Sequence, residues 1–193
     1  MSNIKMKNLT DLEIIESVKK GNHADFAILI DRYKNRAFSL LKRMLKNHFD
    51  AEEVLQDCFL KAFNALGTFR MESRFSTWFY RIVYNTAITK LSGKKRKIET
   101  EMSSIDDHIE LRTEEEFLFS EQKDVSELLS KLVQKLPPNN ASVINMFYID
   151  GMSCEEISEV MSVSVSNVKV LLHRSRNYLK EMIIKNNYME ELL

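Results

Sequence analysis

Residues 69–97 read FRMESRFSTWFYRIVYNTAITKLSGKKRK and hold six aromatic residues and eight lysines or arginines against a single acid, Glu72. At about 100° per residue, Trp78, Arg81, Asn85, Thr89, Ser92 and Arg96 fall on one face of a helix. Phe79, Ile82, Val83 and Thr86 fall on the neighbouring face, so one side packs and the other meets a partner. Aromatic faces accept unstacked bases, and cations hold the phosphates on either side. The segment therefore predicts a helix that touches nucleic acid. Trp78 has two open readings, base platform or core anchor, because tryptophan is well buried on average. Lys94–Lys97 are equally open to a reading as a solvated tail.

Helical spacing extends outward in both directions. Asp50-Ala51-Glu52-Glu53 reads as a capping box. It is followed by an apolar stripe of Ala51, Val54, Leu55, Cys58, Phe59, Ala62, Phe63 and Leu66 that Gly67 ends. Before it, Phe26, Ile30, Tyr33, Ala37, Leu40, Leu41 and Met44 predict a long amphipathic helix to about His48. Thr10–Glu13 is another capping box, opening a short helix that stops at Gly21. With the helix from about Ser76 to Leu91, these make a four-helix bundle.

Residues 99–122 carry acid and Ser without a sustained period and read as a linker, with a helical start near Glu114. Helical spacing resumes at Val125, Leu128, Leu129, Leu132, Val133 and Leu136. Pro137-Pro138 breaks it, Asn139 can cap a helix through Ile149, and Asp150-Gly151 is a turn. Ser153–Glu156 is a third capping box, for a helix ending near Met161. The turn Ser162-Val163-Ser164 leads to a last helix from about Val165 to Ile184. No strand pattern competes. The expectation is an all-α chain of two small helical domains, 1–98 and 123–193, joined by the acidic linker 99–122.

Charge follows the same division. The whole chain has net charge 0, yet residues 1–98 hold 19 Lys/Arg against 10 Asp/Glu, and residues 99–130 hold 2 against 11. A +9 block beside a −9 block marks segments with separate electrostatic roles. With 193 residues, 44% hydrophobic, 4 Gly and 2 Pro, the composition suits a helical protein. The start MSNIKMKNLT lacks the apolar core of a signal peptide, and no apolar run is long enough to span a bilayer. Cys58 and Cys154 stand too far apart for metal-ligand spacing and are expected reduced, in a cytoplasmic protein without stable membrane association.

Two further constellations carry chemistry. The helices from Ser153 to Tyr178 are backed by Ile157, Val160, Val168, Leu171, Leu172 and Leu179, with a short turn between them, as in a helix-turn-helix. The second has Lys169, Arg174, Arg176 and Lys180, with no acid before Glu181. Ser164, Ser166 and Asn167 at its start suit base edges and phosphates. Glu155, Glu156 and Glu159 are sorted onto the first helix. The other constellation is acidic: Asp50, Glu53 and Asp57 on one helix face, with Glu52 and Gln56 beside them. That face can be a solvated surface, a protein-docking surface or a divalent-metal site. No second acidic cluster converges with it, and His23, His48, His108 and His173 are scattered.

DAEEVLQDCFLKAFNAL with FRMESRFSTWFYRIVYNTAITKL resembles region 2 of bacterial sigma factors of the extracytoplasmic-function (ECF) group. KLPPNNASVINMFYIDGMSCEEISEVMSVSVSNVKVLLHRSRNYLKEM resembles their region 4. The resemblance implies a promoter-specificity subunit of RNA polymerase with no catalytic residue, metal or cofactor of its own. It implies that Asp50, Glu52, Glu53, Gln56 and Asp57 dock on the β′ clamp helices, and that the β flap is a second polymerase contact. It assigns the −10 element to Arg70, Ser73, Arg74, Phe75, Trp78, Arg81, Asn85, Lys94, Lys95 and Arg96. There a base leaves the stack at a cost of a few kcal/mol, and stacking returns about 1–3 kcal/mol per base. The −35 element falls to Ser164, Ser166, Asn167, Lys169, His173, Arg174 and Arg176. The family further implies an anti-sigma factor as partner.

The chain departs from the family at two positions. Ser162 stands in the turn where many relatives have glycine, and Leu171 where many have arginine. The alternatives from the residues alone are a stand-alone helix-turn-helix regulator and a metal-dependent nuclease using Asp50–Asp57. The acidic linker has three readings: a solvated spacer, a shield for the basic domain tethered at high effective concentration, or a mimic of nucleic acid inside the polymerase channel.

Overall fold

The computed structural model describes residues 9–102 and 125–185, with side chains over 9–96 and 128–185. Among these every regular element is helical. Helix α1, Asp11–Lys19, opens on the expected capping box: Thr10 Oγ1 accepts from the Glu13 N–H, and Glu13 Oε2 accepts from the Thr10 N–H at 2.6 Å. After a 3-10 turn at His23–Asp25, α2 (Phe26–Leu45) buries Phe26, Leu29, Ala37, Leu40, Leu41, Met44 and Leu45. It stops before His48, because Lys46 turns left-handed at φ 52° and Asn47 is extended.

Asn47 then caps α3, His48–Ala65, its side chain accepting from the Asp50 N–H at 3.0 Å. The expected capping box at Asp50 is thereby corrected. Asp50 lies inside the first turn, and its carboxylate points instead at Lys94 and Lys90. Helix α4 runs from Phe75 to Met102, well beyond Leu91 and past the expected domain limit at 98. A mid-helix glycine costs about 1 kcal/mol, which Gly93 does not turn into a break. Lys90 and Lys94 pair with Glu53 and Asp50 and hold this end of α4 against α3. The basic stretch is helical there, where a tail was the other reading.

At the centre of the bundle Phe79, fully buried, stacks on Phe59 with centroids 4.7 Å apart and on Phe75 at 5.9 Å. Tyr33 meets Phe75 and Phe79 edge-on. Such pairs add to simple burial, and they fix α2, α3 and α4 in one register.

The second group begins with α5, Val125–Lys135. Pro137 takes the cap position and Pro138 the first helical position of α6, Pro138–Ile144, where a missing N–H costs nothing. The expected cap at Asn139 is therefore corrected: Asn139 lies inside the first turn, and its side chain accepts from the Tyr84 hydroxyl at 3.0 Å. The helix does not continue regularly to Ile149 but widens into a π turn over Asn145–Ile149. Ser153 and Glu156 form the expected capping box of α7, Cys154–Met161. Ser162 is left-handed at φ 54°, and α8 covers Val165–Lys185 with Ser164 Oγ accepting from the Asn167 N–H at 3.3 Å.

The two groups touch. Helix α4 lies against α7 and α2 against α6, and one apolar cluster runs through both halves. Residues 103–124, most of the expected linker, lie outside the described residues.

Candidate nucleic-acid and polymerase interfaces

The outer face of α4 has the expected composition and one correction. Trp78 is half-buried, tilted against Phe69 at 5.0 Å and Phe75 at 5.6 Å, with Arg81 and Asn85 exposed beyond it. One side of the indole is thus packed while the rest reaches the surface. Phe75, expected to touch DNA, is 2% exposed and belongs to the core beneath Trp78. Its neighbours Tyr33, Phe69 and Phe79 leave it no open face. Arg70 and Arg74 are exposed in the preceding loop and Ser73 is half-buried. That loop is anchored where Lys19 Nζ donates to the Phe69 carbonyl at 2.7 Å, and Met71 adopts a left-handed φ of 59°.

At the far end of α4, Lys94, Lys95 and Arg96 are all exposed, and Lys94 is engaged by Asp50. Lys90, absent from the expected set, hydrogen-bonds Glu53 at 2.7 Å, which raises its pKa above the ordinary lysine value. The acidic face of α3 and the basic end of α4 are therefore joined. Asp50 keeps only 15% of its side chain exposed, and Glu52 pairs with His48 at 3.2 Å. Glu53, Gln56 and Asp57 remain exposed. Leu60 and Phe49, 62% and 79% exposed on the same helix, were missed. Their signal in the sequence was that both lie off the apolar stripe. Among the described residues, no group of three or more His, Cys, Asp or Glu is placed to hold a metal ion.

Helix α8 presents Ser164, Ser166, Asn167, Lys169, His173, Arg174 and Arg176 at the surface, backed by buried Val168, Leu172 and Ser175. Ser164 is used as the cap, and its hydroxyl lies 2.9 Å from that of Ser166. Arg176 turns aside: its Nε donates to the Tyr148 hydroxyl at 2.7 Å and its guanidinium lies 5.6 Å from that ring centroid. Behind it an apolar groove of about 740 Å³ is lined by Leu129, Val133, Tyr148, Ile149, Leu179 and Ile184.

Polar residues of both halves meet where α2 and α4 face α6 and α7. Arg43 Nη1 donates to Asn145 Oδ1 at 2.6 Å, and Asn145 Nδ2 donates to Asp150 Oδ2 at 2.7 Å. Burial raises the Asp150 carboxyl above its ordinary pKa, only partly opposed by Tyr80, Arg36, Asn145 and Arg43. Tyr80 is itself buried, and its hydroxyl lacks a hydrogen bond of good geometry. Toward the solvent, Arg74 Nη1 lies 3.3 Å from Glu156 Oε1 and Arg81 Nη2 lies 3.5 Å from Ser162 Oγ.

An all-helical chain with an aromatic-basic helix in one half and a helix-turn-helix in the other defines a two-part DNA-binding protein. Comparison with known proteins makes the class specific. Residues 29–97 match the family model for Sigma-70 region 2, and residues 126–179 that for Sigma-70 region 4. The chain is 33% identical to the ECF RNA polymerase sigma factor SigW of Bacillus subtilis (strain 168) over 176 residues, covering 88% of this chain and 94% of that protein. It is 31% identical to the ECF RNA polymerase sigma-E factor of Escherichia coli (strain K12) over 186 residues, 92% and 96% of the two chains.

Among solved structures, CnrH in complex with the cytosolic domain of CnrY superposes with a TM-score of 0.65 at 22% identity, over 91% of this chain and 97% of that one. RpoE of Bartonella quintana, in complex with the anti-sigma factor NepR, also gives 0.65, at 18% identity over 82% and 96%. These two establish likeness of fold. The chain belongs to the sigma-70 family, ECF subfamily: it is a promoter-recognising transcription initiation factor. Neither the stand-alone regulator nor the nuclease accounts for both regions. Among the described residues no helix is long and apolar enough to cross a membrane.

Proposed function

We propose that the two halves of this sigma factor read two different forms of DNA. The observation that supports this most directly is the contrast between a half-buried tryptophan flanked by Arg81 and Asn85 on α4 and the bare polar face of α8. Trp78, fixed from behind by Phe69 and Phe75, is the platform for an unstacked base of the −10 element. Arg70, Ser73, Arg74, Arg81, Asn85, Lys95 and Arg96 hold the strand around it. Ser166, Asn167, Lys169, His173 and Arg174 enter the major groove at the −35 element.

Core RNA polymerase supplies the catalytic centre, and this chain acts in the cytoplasm without enzymatic activity, metal or cofactor. Glu53, Gln56 and Asp57, with exposed Leu60 and Phe49, form the polymerase-docking face of α3. The groove behind Arg176 is the second polymerase contact, suited to an apolar helix such as one of the β flap. An anti-sigma factor would act by covering the same surfaces; the solved RpoE of Bartonella quintana is held in a complex with the anti-sigma factor NepR.

Run-off transcription from genomic fragments, with core polymerase and with or without this chain, tests the reading. Chain-dependent transcripts are expected. Trp78→Ala should impair open-complex formation at such a promoter while polymerase binding is retained. Equal loss of both would return Trp78 to a purely structural role.

A further inference from the structure

The loop between α3 and α4 carries Arg70, Ser73 and Arg74, yet its own backbone does little to fix it. Phe69, at its start, is held on both sides. The Phe69 N–H donates to the Leu66 carbonyl at 3.1 Å, and the Phe69 carbonyl accepts from Lys19 Nζ at 2.7 Å. The next backbone bond along the chain runs from the Trp78 N–H to the Arg74 carbonyl, at 3.1 Å. Residues 70–73 therefore hang between two anchors, with Met71 left-handed at φ 59°. A side chain other than glycine keeps such a backbone only where its surroundings over-determine it.

The first anchor comes from 50 residues upstream. Lys19 lies in the last turn of α1, next to Val18, and α1 is fixed to the core by buried Ile14, Ile15 and Val18. Its ammonium is a charged donor, and a charge-assisted bond to a carbonyl is stronger than a neutral one. What it holds matters twice. The Phe69 ring, 5% exposed, lies 5.0 Å from Trp78 and 6.1 Å from Phe75. One residue thus opens the loop and backs the indole. A binding constellation keeps its selectivity only when held to within about 0.5 Å, and a shift at Phe69 displaces loop and platform together.

We propose that Lys19 is a positioning residue for base selection at the −10 element. Through the Phe69 carbonyl it fixes the start of the base-reading loop and the back of the Trp78 platform, without touching DNA. This rests on the reading of that loop and α4 as the −10 face. Loss of the anchor leaves Arg70, Arg74 and Arg81 in place to hold phosphates, so affinity for unselected strands survives while the choice of base is blurred.

The experiment uses holoenzyme assembled from core polymerase and the full chain, as wild type, Lys19→Met, Lys19→Arg and Thr10→Ala. Each is incubated with random-sequence single-stranded 15-mers and the bound fraction is sequenced, with core polymerase alone as background. Anisotropy of the fluorescein-labelled pool across salt concentrations gives affinity and salt slope. Lys19→Met should lower the base preference at the most selective position about fivefold, the low end of the cost of one misread base. Pool affinity and salt slope should not change. Lys19→Arg restores a charged donor and should recover the preference. Thr10→Ala removes the capping box at the opposite end of α1 and should leave the preference intact.

An undiminished preference in Lys19→Met would overturn the proposal. A salt slope lowered by about 1 would make Lys19 a phosphate contact instead, and would overturn it too. Equal loss in Thr10→Ala would reduce the effect to the general stability of α1. A wild-type pool without any base preference would remove the −10 reading itself, and the positioning role with it. Circular dichroism checks that each chain is folded. If Lys19→Met is not, Lys19→Gln, which keeps a donor and loses the charge, takes its place and should lower the preference less than fivefold but measurably; no change there would overturn the proposal.

Discussion

Helices α4 and α8 carry charge of the same sign and differ in what lies behind and before them. Behind α4 is an aromatic stack, Phe75, Phe79 and Phe59, and before it lies α7. On α8 the inner side is aliphatic, with Val168, Leu172 and Ser175 buried and Leu171, Leu179 and Met182 packed beside them, and the polar face is open. A rigid backing suits a platform for a base that has left its stack, since a platform that yields gives back the stacking energy. A duplex brings its own rigidity, so short polar groups on a helix with an aliphatic backing suffice. The polar face of α8 is free of the other half, whereas one edge of α4 lies against α7.

The largest effect that would break this contrast lies in the backing of α4. Phe79→Ala should cost about 3–5 kcal/mol of stability, because a fully buried ring stacked on two others is removed and a cavity remains. Urea denaturation followed by circular dichroism measures it. A loss below 1 kcal/mol would mean that the stack does not support α4.

Next in size are the two faces themselves. Trp78→Ala should weaken capture of the melted −10 strand by about 1–3 kcal/mol, the worth of one stacked base, with duplex −35 binding unchanged. Lys169→Ala and Arg174→Ala should do the reverse. Each that loses a phosphate contact lowers the salt slope of duplex binding by about 1. Parallel losses on both DNA forms would erase the distinction between the helices.

How far the sequence reaches depends on the range of the interaction. The capping boxes at Thr10 and Ser153 were legible because each closes within three residues. The same rule misplaced the start of α3. Asn47-x-x-Asp50 and Asp50-x-x-Glu53 both fit the pattern, and the choice was made by where α2 stops. The length of α4 was hidden because its basic end is held by Glu53 and Asp50, 37 and 44 residues away. Phe75 and Trp78 look alike in a basic, aromatic segment. Only the packing of Tyr33, Phe69 and Phe79 sends one to the core and leaves the other at the surface. The junction was illegible for the same reason: Arg43 meets Asn145 across 102 residues.

A smaller effect sharpens the account of that junction. At the junction burial raises the Asp150 carboxyl above its ordinary pKa, with Tyr80, Arg36, Asn145 and Arg43 opposing the shift, so packed halves bind a proton more readily than parted ones. Closure should therefore strengthen as pH falls through the raised value toward the ordinary one near 4, and weaken as pH rises. Scattering between pH 7 and pH 4.5 should record modest compaction, which Asp150→Asn abolishes. Expansion on acidification would show that pairs such as Arg74–Glu156 dominate instead.

Ser162→Gly is the smallest and separates the turn from the contact it makes. A left-handed backbone costs an ordinary residue about 1–2 kcal/mol, and Ser162 sits there at φ 54°. Glycine removes that cost but adds about 0.4–1 kcal/mol of chain entropy in the unfolded state. The net expectation is a gain of about 0.5 kcal/mol, a rise of 1–2 °C in Tm for a chain of this size. The substitution also deletes the hydroxyl that Arg81 approaches at 3.5 Å, a distance at which an exposed bond contributes little. Thermal unfolding should thus move up while single-strand affinity rises slightly or stays level. A fall in Tm would mean that the serine hydroxyl holds α7 to α4 more firmly than its distance suggests.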